Sequence, residues 1–248
     1  MRYLNNKTKI IATIGPATSS YEQLKKLVLT GVNVCRLNFS HGSYDDHKQV
    51  IDSIRKINNE LGIHTGLLAD LQGPKIRIGA LENDEFPIAP GETINFTTHE
   101  TIGTKDQVWI NYKEFPKDVS VGDFILLDDG KIKLEVKETN KLDKVKAEVI
   151  HGDVLKSRKG VNLPNTDVSI PCLTTKDLKD LDFILDNDVP WIGLSFVRKA
   201  SDIIELKEII KSRGKASLVI SKIEKPEALE NLDEIIEHSD GLMVARGD

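Results

Sequence analysis

Hydrophobic and polar positions alternate in two ways in the first third of the chain. Short apolar runs at residues 9–15, 33–39 and 65–71 predict strands, and the segments between them carry apolar residues at helical spacing. The first predicted helix starts at a serine cap and stops at Gly31; the second has Ser43 and Asp46 at capping-box spacing and ends at Gly62. Strands that alternate with helices in this way predict βαβ units and a parallel sheet.

The pattern changes between residues 74 and 167. Segments with β-type patterning at 92–98, 106–112, 123–136 and 143–152, separated by Gly, Asp and Asn turns, predict a small all-β domain. The alternation then resumes, with helices predicted over 174–189, 200–214 and 225–239 and strands over 190–197, 215–224 and 240–246.

We interpret the two α/β blocks as one domain that is interrupted by a β insertion. Residues 1–73 are predicted to form its first part, residues 74–167 the inserted lid, and residues 168–248 its second part. Six strands that alternate with helices fit a (β/α)₈ barrel from which two βα units are missing. The predicted fold class is therefore α/β, an incomplete TIM barrel with a small all-β insertion.

Composition narrows the classes of partner. The 248 residues are 39% hydrophobic and carry a formal net charge of -5, which disfavours nucleic acid or an anionic membrane as the main partner. The apolar runs are far shorter than the ~20 residues that a membrane-spanning helix needs. The N-terminal segment lacks the features of a secretory signal, and the two cysteines, Cys35 and Cys172, lie among apolar residues. We therefore expect a cytoplasmic protein whose cysteines are reduced.

Polar and charged side chains concentrate where the predicted parallel strands end. Arg36, Asn38 and Ser40 share one strand face, and Lys222 and Glu224 project together from another strand. Further strand ends carry Asp70, Ser195, Arg246 and Asp248. In a parallel barrel these ends form one mouth, where active sites are built. Carboxylates there would hold a metal ion and the cations would hold phosphoryl oxygens, which predicts a site for a metal-bound anionic substrate.

A single feature of this set has a simpler interpretation. One Lys–Glu pair at a strand end, or Arg36 alone, is typical of a structural ion pair. The convergence of several strand ends favours the functional interpretation. The sequence contains no Walker A loop, G-x-G-x-x-G, H-E-x-x-H or G-x-S-x-G motif, so a nucleotide would have to bind in another way.

Several segments, among them "NVCRLNFSHG", "LADLQGPKIRIG", "RKGVNLPN", "GLSFVRKASDI", "ISKIE" and "GLMVARGD", closely resemble the pyruvate kinase family. The resemblance covers nearly the whole chain in the family's order: barrel strands one to six, with the B domain inserted after the third strand. It implies phosphoryl transfer from phosphoenolpyruvate to ADP in glycolysis, giving pyruvate and ATP. It also implies Mg²⁺ or Mn²⁺ as cofactor, a cytoplasmic location and a homotetramer as the full-length enzyme.

The resemblance assigns roles to individual residues. Lys222 would neutralise the transferring phosphoryl group and the enolate that is left behind, and the β lid would exclude water. The other implied roles are metal binding by Glu224 and Asp248, phosphoryl binding by Arg36 and Arg77, substrate contacts from Ser195 and Gly247, and nucleotide contacts from Asn38, His41, Arg77 and Lys159.

The loop "DLQGPKIR" departs from many family members. K⁺-dependent members resemble "DTKGPEIR" and hold K⁺ at positions that correspond here to Asn38, Ser40, Asp70 and Leu71. In this chain Lys75 replaces the glutamate of that loop. A lysine ammonium could supply the charge that K⁺ supplies elsewhere, so we expect weak or no dependence on K⁺. The alternative is that Lys75 is simply a solvated loop residue.

Two other functions fit parts of the sequence. A metal-dependent pyruvate-enolate aldolase or lyase would also place Glu and Asp at successive strand ends, but the β insertion and "NVCRLNFSHG" disfavour it. An adhesive "RGD" tripeptide, at Arg246–Asp248, would belong on an exposed extracellular loop rather than after a buried strand. The family continues beyond "MVARGD" with more barrel strands and a C-terminal domain. We therefore expect this chain alone to have little or no kinase activity and weak metal affinity at Asp248.

Overall fold

The computed structural model describes residues 7–164, 166 and 168–245. The chain divides into two compact units, a larger one of residues 7–74 and 172–245 and a smaller one of residues 75–171. Each unit has its own cluster of buried apolar side chains.

The larger unit begins with the predicted strand–helix alternation. Its first elements are β1 (Ile11–Ile14), α1 (Tyr21–Leu29), β2 (Val34–Asn38), α2 (Tyr44–Leu61) and β3 (Gly66–Asp70). After residues 75–171 it continues with α4 (Thr175–Asp186), β12 (Trp191–Leu194), α5 (Ala200–Ser212), β13 (Leu218–Ile223), α6 (Pro226–Glu230), α7 (Leu232–His238) and β14 (Gly241–Val244).

The described strands of this unit form one parallel sheet in the order β1-β2-β3-β12-β13-β14, which is also their order along the chain. Helices connect successive strands, and their apolar faces share one core with the sheet. This arrangement is an incomplete (β/α)₈ barrel, as the sequence predicts.

Helix ends in this unit follow local sequence signals. The predicted capping box of α2 is present, with Ser43 and Asp46 each bonded to the other's backbone, and Gly62 ends the helix. The single helix predicted over 225–239 is wrong, because the chain breaks at Asn231 into α6 and α7. Asn231 has a φ of −106° and a ψ of 20° at this break, and its side chain donates to the carbonyls of Arg198 and Glu227.

The smaller unit consists mainly of strands, as predicted, with one short helix in addition. Its elements are β4 (Glu85–Pro87), β5 (Thr93–Thr97), β6 (Gln107–Trp109), α3 (Phe115–Asp118), β7 (Phe124–Leu127), β8 (Ile132–Thr139), β9 (Lys144–His151), β10 (Val154–Lys156) and β11 (Val161–Asn162). Six of these strands form a sheet in the order β11-β7-β8-β9-β5-β6, and β10 pairs with β4. Phe96 of β5 and Phe115 of α3 meet edge-to-face in its core, with ring centroids 5.9 Å apart.

Cys35 and Cys172 are both buried and free in the larger unit. Burial raises the pKa of the Cys35 thiol to about 11, because the thiolate would lose its hydration there. Both cysteines therefore behave as the apolar core residues that the sequence predicts.

Candidate active site at the carboxyl ends of the barrel strands

The carboxyl ends of β2, β3, β12 and β13 bring the predicted charged residues of the larger unit together. In β2, Cys35 and Leu37 face the core while Arg36 and Asn38 lie on the opposite, half-buried face. Asp70 is the last residue of β3, and Ser195 directly follows β12. Parallel pairing in register places these ends side by side, with Asn38 opposite Asp70 and Gly193 next to Asp70.

Arg36 and Asp70 form a largely buried ion pair. The Arg36 Nε donates to Asp70 Oδ2 over 2.7 Å, and the Arg36 Nη2 donates to the same oxygen. The third guanidinium nitrogen donates to Thr13 Oγ1 of β1 over 2.8 Å. The Asp70 side chain is 2% exposed and that of Arg36 25%, so part of the guanidinium is open to an anion.

Lys222 connects three strand ends through one ammonium group. Its Nζ lies 2.9 Å from Ser195 Oγ, 2.8 Å from Glu224 Oε1 and 3.3 Å from Asp70 Oδ1. A buried ammonium would be costly without such partners, because it loses its hydration shell. The prediction that Lys222 and Glu224 project together is confirmed.

Glu224 is held from two sides. Its Oε2 accepts the backbone N–H of Phe196 over 2.8 Å, and its Oε1 forms the ion pair with Lys222. The contacts of Oε1 and of Asp70 Oδ1 with Lys222 are charge contacts rather than aligned hydrogen bonds. Two cations, Arg36 and Lys222, thus face two buried carboxylates, Asp70 and Glu224, and the described cluster is balanced in formal charge.

Backbone groups complete the shell around this cluster. The Ser195 hydroxyl donates to the carbonyl of Leu71 over 2.7 Å, and the Leu71 N–H donates to the carbonyl of Gly193 over 3.0 Å. A Cβ added at Gly193 would lie 3.0 Å from Asp70 Oδ1, so a larger residue would crowd this carboxylate. Gly193 therefore allows Asp70 to lie close to the β12 backbone.

The loop after β2 carries Asn38, Ser40 and His41. Asn38 Oδ1 accepts the N–H of Ser40 over 3.0 Å, and His41 is exposed. The carbonyl of His41 is 3.0 Å from His47 Nε2 of α2, whose ring stacks on Phe39 with centroids 4.3 Å apart. Burial lowers the pKa of His47, so the neutral ring is favoured at this position.

Three predicted site residues, Lys75, Arg77 and Lys159, belong to the smaller unit. Lys159 Nζ is 2.8 Å from Asp128 Oδ1, and this contact is the main cause of the lowered pKa of Asp128. The Arg77 N–H donates to Asn111 Oδ1 over 2.8 Å, and the amide of Asn111 donates to the Lys75 carbonyl.

Arg246, Gly247 and Asp248 lie outside the described residues. Among residues 7–164, 166 and 168–245 no group of three or more His, Cys, Asp or Glu side chains is arranged to hold a metal ion. Glu224 is thus the one predicted metal ligand whose position is described.

Sequence reasoning missed two contributors to the site. Thr13, which binds Arg36, is a polar residue within an otherwise apolar strand, and that contrast was a usable signal. The Phe196 N–H acts through the backbone, in a left-handed conformation with φ of 56°, and side-chain chemistry could not reveal it.

Comparisons of the sequence with protein families and with individual proteins identify the family of this chain. Residues 5–248 match the family model described as pyruvate kinase, barrel domain. The chain belongs to the pyruvate kinase family. It is 44% identical to the pyruvate kinase of Staphylococcus epidermidis over 244 residues and 44% identical to that of Bacillus licheniformis over 245 residues. Each alignment covers 98% of this chain and 42% of the relative, so the chain spans less than half the length of these pyruvate kinases.

Proposed function

We propose that the protein containing this chain is a pyruvate kinase, a phosphotransferase of glycolysis that converts phosphoenolpyruvate and ADP into pyruvate and ATP. The observation that carries the proposal is the position of Lys222, whose ammonium contacts Ser195, Glu224 and Asp70 at the carboxyl ends of three adjacent strands. Phosphoryl transfer needs prepositioned positive charge more than it needs a covalent catalyst, and this cluster supplies it.

In the proposed reaction the bond between phosphorus and the enol oxygen breaks, and a bond from phosphorus to a β-phosphate oxygen of ADP forms. The enol oxygen keeps the electron pair of the broken bond, and a proton added at the methylene carbon then gives pyruvate. Lys222 would stabilise the negative charge on the transferring group and on the enolate oxygen. The partly exposed guanidinium of Arg36, together with Arg77, would bind phosphoryl oxygens.

Ser195 and the backbone of Gly247 are proposed to contact the substrate. The Ser195 hydroxyl already accepts from Lys222, which supports a place beside the reacting atoms. Asn38, His41, Arg77 and Lys159 are proposed to contact the nucleotide. Lys159 would bind phosphate by leaving Asp128 or by contacting both groups at once. His41 is exposed and so is accessible to a nucleotide.

The cofactor is proposed to be Mg²⁺ or Mn²⁺, held by Glu224 and Asp248. The donor chemistry fits a hard cation, because Glu224 supplies a buried carboxylate directly after β13. When bound, the cation would add Lewis-acid stabilisation of the substrate's carboxylate and enolate oxygens. The Phe196 N–H would keep the Glu224 carboxylate in its present orientation.

Location and assembly are proposed on the family alone. In the described part of the chain no helix is long and apolar enough to cross a membrane. We propose a cytoplasmic homotetramer for the complete protein, as the family resemblance implies.

The proposal is tested with the complete gene product, assayed for ATP and pyruvate formation from phosphoenolpyruvate and ADP with Mg²⁺. Lys222→Met should lower kcat by about 10³-fold, the scale of losing a central electrostatic group. The matched control is Lys215→Met, since Lys215 pairs with Asp188 before β13 and away from the strand carboxyl ends. Cleavage of a 2-oxo acid in place of phosphoryl transfer would identify an aldolase or lyase and overturn the proposal.

A further inference from the structure

The carboxylate of Asp177, in the first turn of helix α4, accepts hydrogen bonds from two parts of the chain that are far apart in sequence. Asp177 Oδ2 accepts the Thr174 N–H over 2.9 Å and contacts the Thr174 hydroxyl, which forms the capping box of the helix. The other oxygen, Oδ1, accepts the backbone N–H of Gly73 over 3.0 Å, across 104 residues of sequence. Gly73 lies in the loop that directly follows β3.

A capping box alone does not explain this geometry. Helix α2 has the same box, but its Asp46 is exposed, and among the described residues its side chain is hydrogen-bonded to Ser43 alone. Asp177 is 0% exposed. Burying a carboxylate is costly unless its oxygens accept hydrogen bonds. The hydrogen bond that the α4 box has and the α2 box lacks is the one from the Gly73 N–H to Asp177.

Gly73 sits where a side chain cannot. Its φ is +69°, and an added Cβ would lie 2.8 Å from Phe196 Cδ2 and 2.9 Å from Ser195 Cβ. The loop after β3 therefore packs directly against the segment that carries Ser195 and the Phe196 N–H. A small displacement of this loop would be transmitted to both groups.

The loop also sets the direction of the Ser195 hydroxyl. Because Ser195 Oγ donates its hydrogen to the Leu71 carbonyl over 2.7 Å, its lone pairs remain to accept from Lys222 Nζ over 2.9 Å. If the Leu71 carbonyl moved, the Ser195 side chain would lose the acceptor that fixes its rotamer, and Oγ could turn away from Lys222 Nζ. Lys222 would then keep only its two carboxylate contacts.

We propose that Asp177 is a positioning residue for Lys222, acting through Gly73, the Leu71 carbonyl and the Ser195 hydroxyl. Among the described residues, the hydrogen bonds of the Asp177 side chain are with Thr174 and Gly73, neither of which is a predicted site residue. The catalytic part of this inference rests on the proposed pyruvate kinase activity, whereas the structural part, the bond between Asp177 and Gly73, does not.

The experiment compares Asp177→Ala with Thr174→Ala in the complete gene product. Both variants weaken the cap of α4, at a cost of about 1 kcal/mol, but only Asp177→Ala removes the acceptor of the Gly73 N–H. At a temperature where both are folded, Asp177→Ala should lower kcat by about tenfold, because misplaced catalytic groups lose rate, while the KM for ADP changes less than about twofold. Thr174→Ala should keep kcat within about twofold.

Asp177→Asn is the conservative variant and also covers the case in which the alanine variant does not fold. It keeps the volume but has one acceptor oxygen for two N–H groups, so kcat should fall by only about threefold. Equal kcat values for wild type and Asp177→Ala, or equal losses in Asp177→Ala and Thr174→Ala, would overturn the inference and leave the proposed function intact.

Hydrogen exchange separates the two proposals. The Gly73 amide should exchange faster in Asp177→Ala than in Thr174→Ala, whatever reaction the protein catalyses. If the wild-type protein does not transfer phosphate from phosphoenolpyruvate, the proposed function fails, and the exchange measurement still tests the bond. Unchanged exchange at Gly73 in Asp177→Ala would overturn the inference on structural grounds.

Discussion

Asp70 shows how single residues determine the electrostatics of this site. Its two oxygens face Arg36 and Lys222, so a carboxylate of the proposed monovalent-cation set already has two cationic partners. The remaining members of that set, Asn38, Ser40 and Leu71, offer neutral oxygens. An added K⁺ would therefore find little uncompensated negative charge among the described groups.

From this charge balance and from Lys75 we predict that the complete gene product works without K⁺. Replacing K⁺ by tetramethylammonium should lower kcat by less than about threefold, because fixed ammonium charge would take the ion's place. Lys75→Met should lower kcat both with and without K⁺, because it removes a fixed ammonium charge that the ion cannot replace at a site with little uncompensated negative charge. A loss of more than about tenfold in the wild type would contradict this prediction.

His47 leads to a prediction about pH. Its pKa in the folded protein is lowered, first by burial, although Asp46 and Asp180 oppose the shift and Lys176 adds to it. His47 therefore binds a proton more readily in the unfolded chain than in the folded protein. The contribution of neutral His47 to the free energy of unfolding is fully present above about pH 6.5 and is lost as the pH falls through the folded-state pKa.

We expect the free energy of unfolding to fall more steeply between pH 7.5 and 5.5 in the wild type than in His47→Gln. Glutamine does not titrate, and it keeps a donor for the His41 carbonyl. Urea unfolding at each pH measures the difference. Identical pH profiles for the two proteins would show that His47 does not contribute to the pH dependence of stability.

At the scale of elements, local sequence signals account for the N-terminal caps of α1, α2 and α4. The capping box at Ser43 and Asp46 was readable directly, because both partners lie within four residues of one another. The hydrogen bonds of Asp46 with Ser43 lower the pKa of this carboxyl, as expected for an ionised cap. The break at Asn231 was missed, because one of the two carbonyls that bind its side chain, that of Arg198, is 33 residues away.

Ser43→Ala should lower the free energy of unfolding by about 1 kcal/mol, since it removes the acceptor of the Asp46 N–H. Ser43→Thr keeps a hydroxyl and is the matched control, with an expected change of less than about 0.5 kcal/mol. Chemical denaturation with both variants measures the two costs. Equal costs would mean that the hydroxyl is not what caps α2.

At the scale of the whole molecule, the two units have separate cores, one around the parallel sheet and one around the strands of residues 75–171. The site residues described in most detail, Arg36, Asp70, Ser195, Lys222 and Glu224, all come from the larger unit. Its sheet collects them from four strands, which no short stretch of sequence could do.

Separate cores predict separate unfolding. Phe96 is fully buried in the smaller unit, and Phe96→Ala should cost that unit about 3–5 kcal/mol. Hydrogen exchange should accelerate in β5, β8 and β9 while β2 and β12 keep their protection. Ile192→Ala, in the core of the larger unit, is the reciprocal variant. Equal acceleration in both units after Phe96→Ala would mean that they unfold together.

The sequence by itself determined the order of elements, the parallel sheet, the β insertion and the alternation that places Arg36 away from the core. These follow from short-range patterns, because burial alternates with the period of each element. Only the tertiary structure decided which groups meet: Thr13 with Arg36, Phe196 N–H with Glu224, and Asp177 with Gly73. Such contacts depend on strand register and loop packing, which combine residues far apart in sequence and often use backbone atoms that every residue type shares.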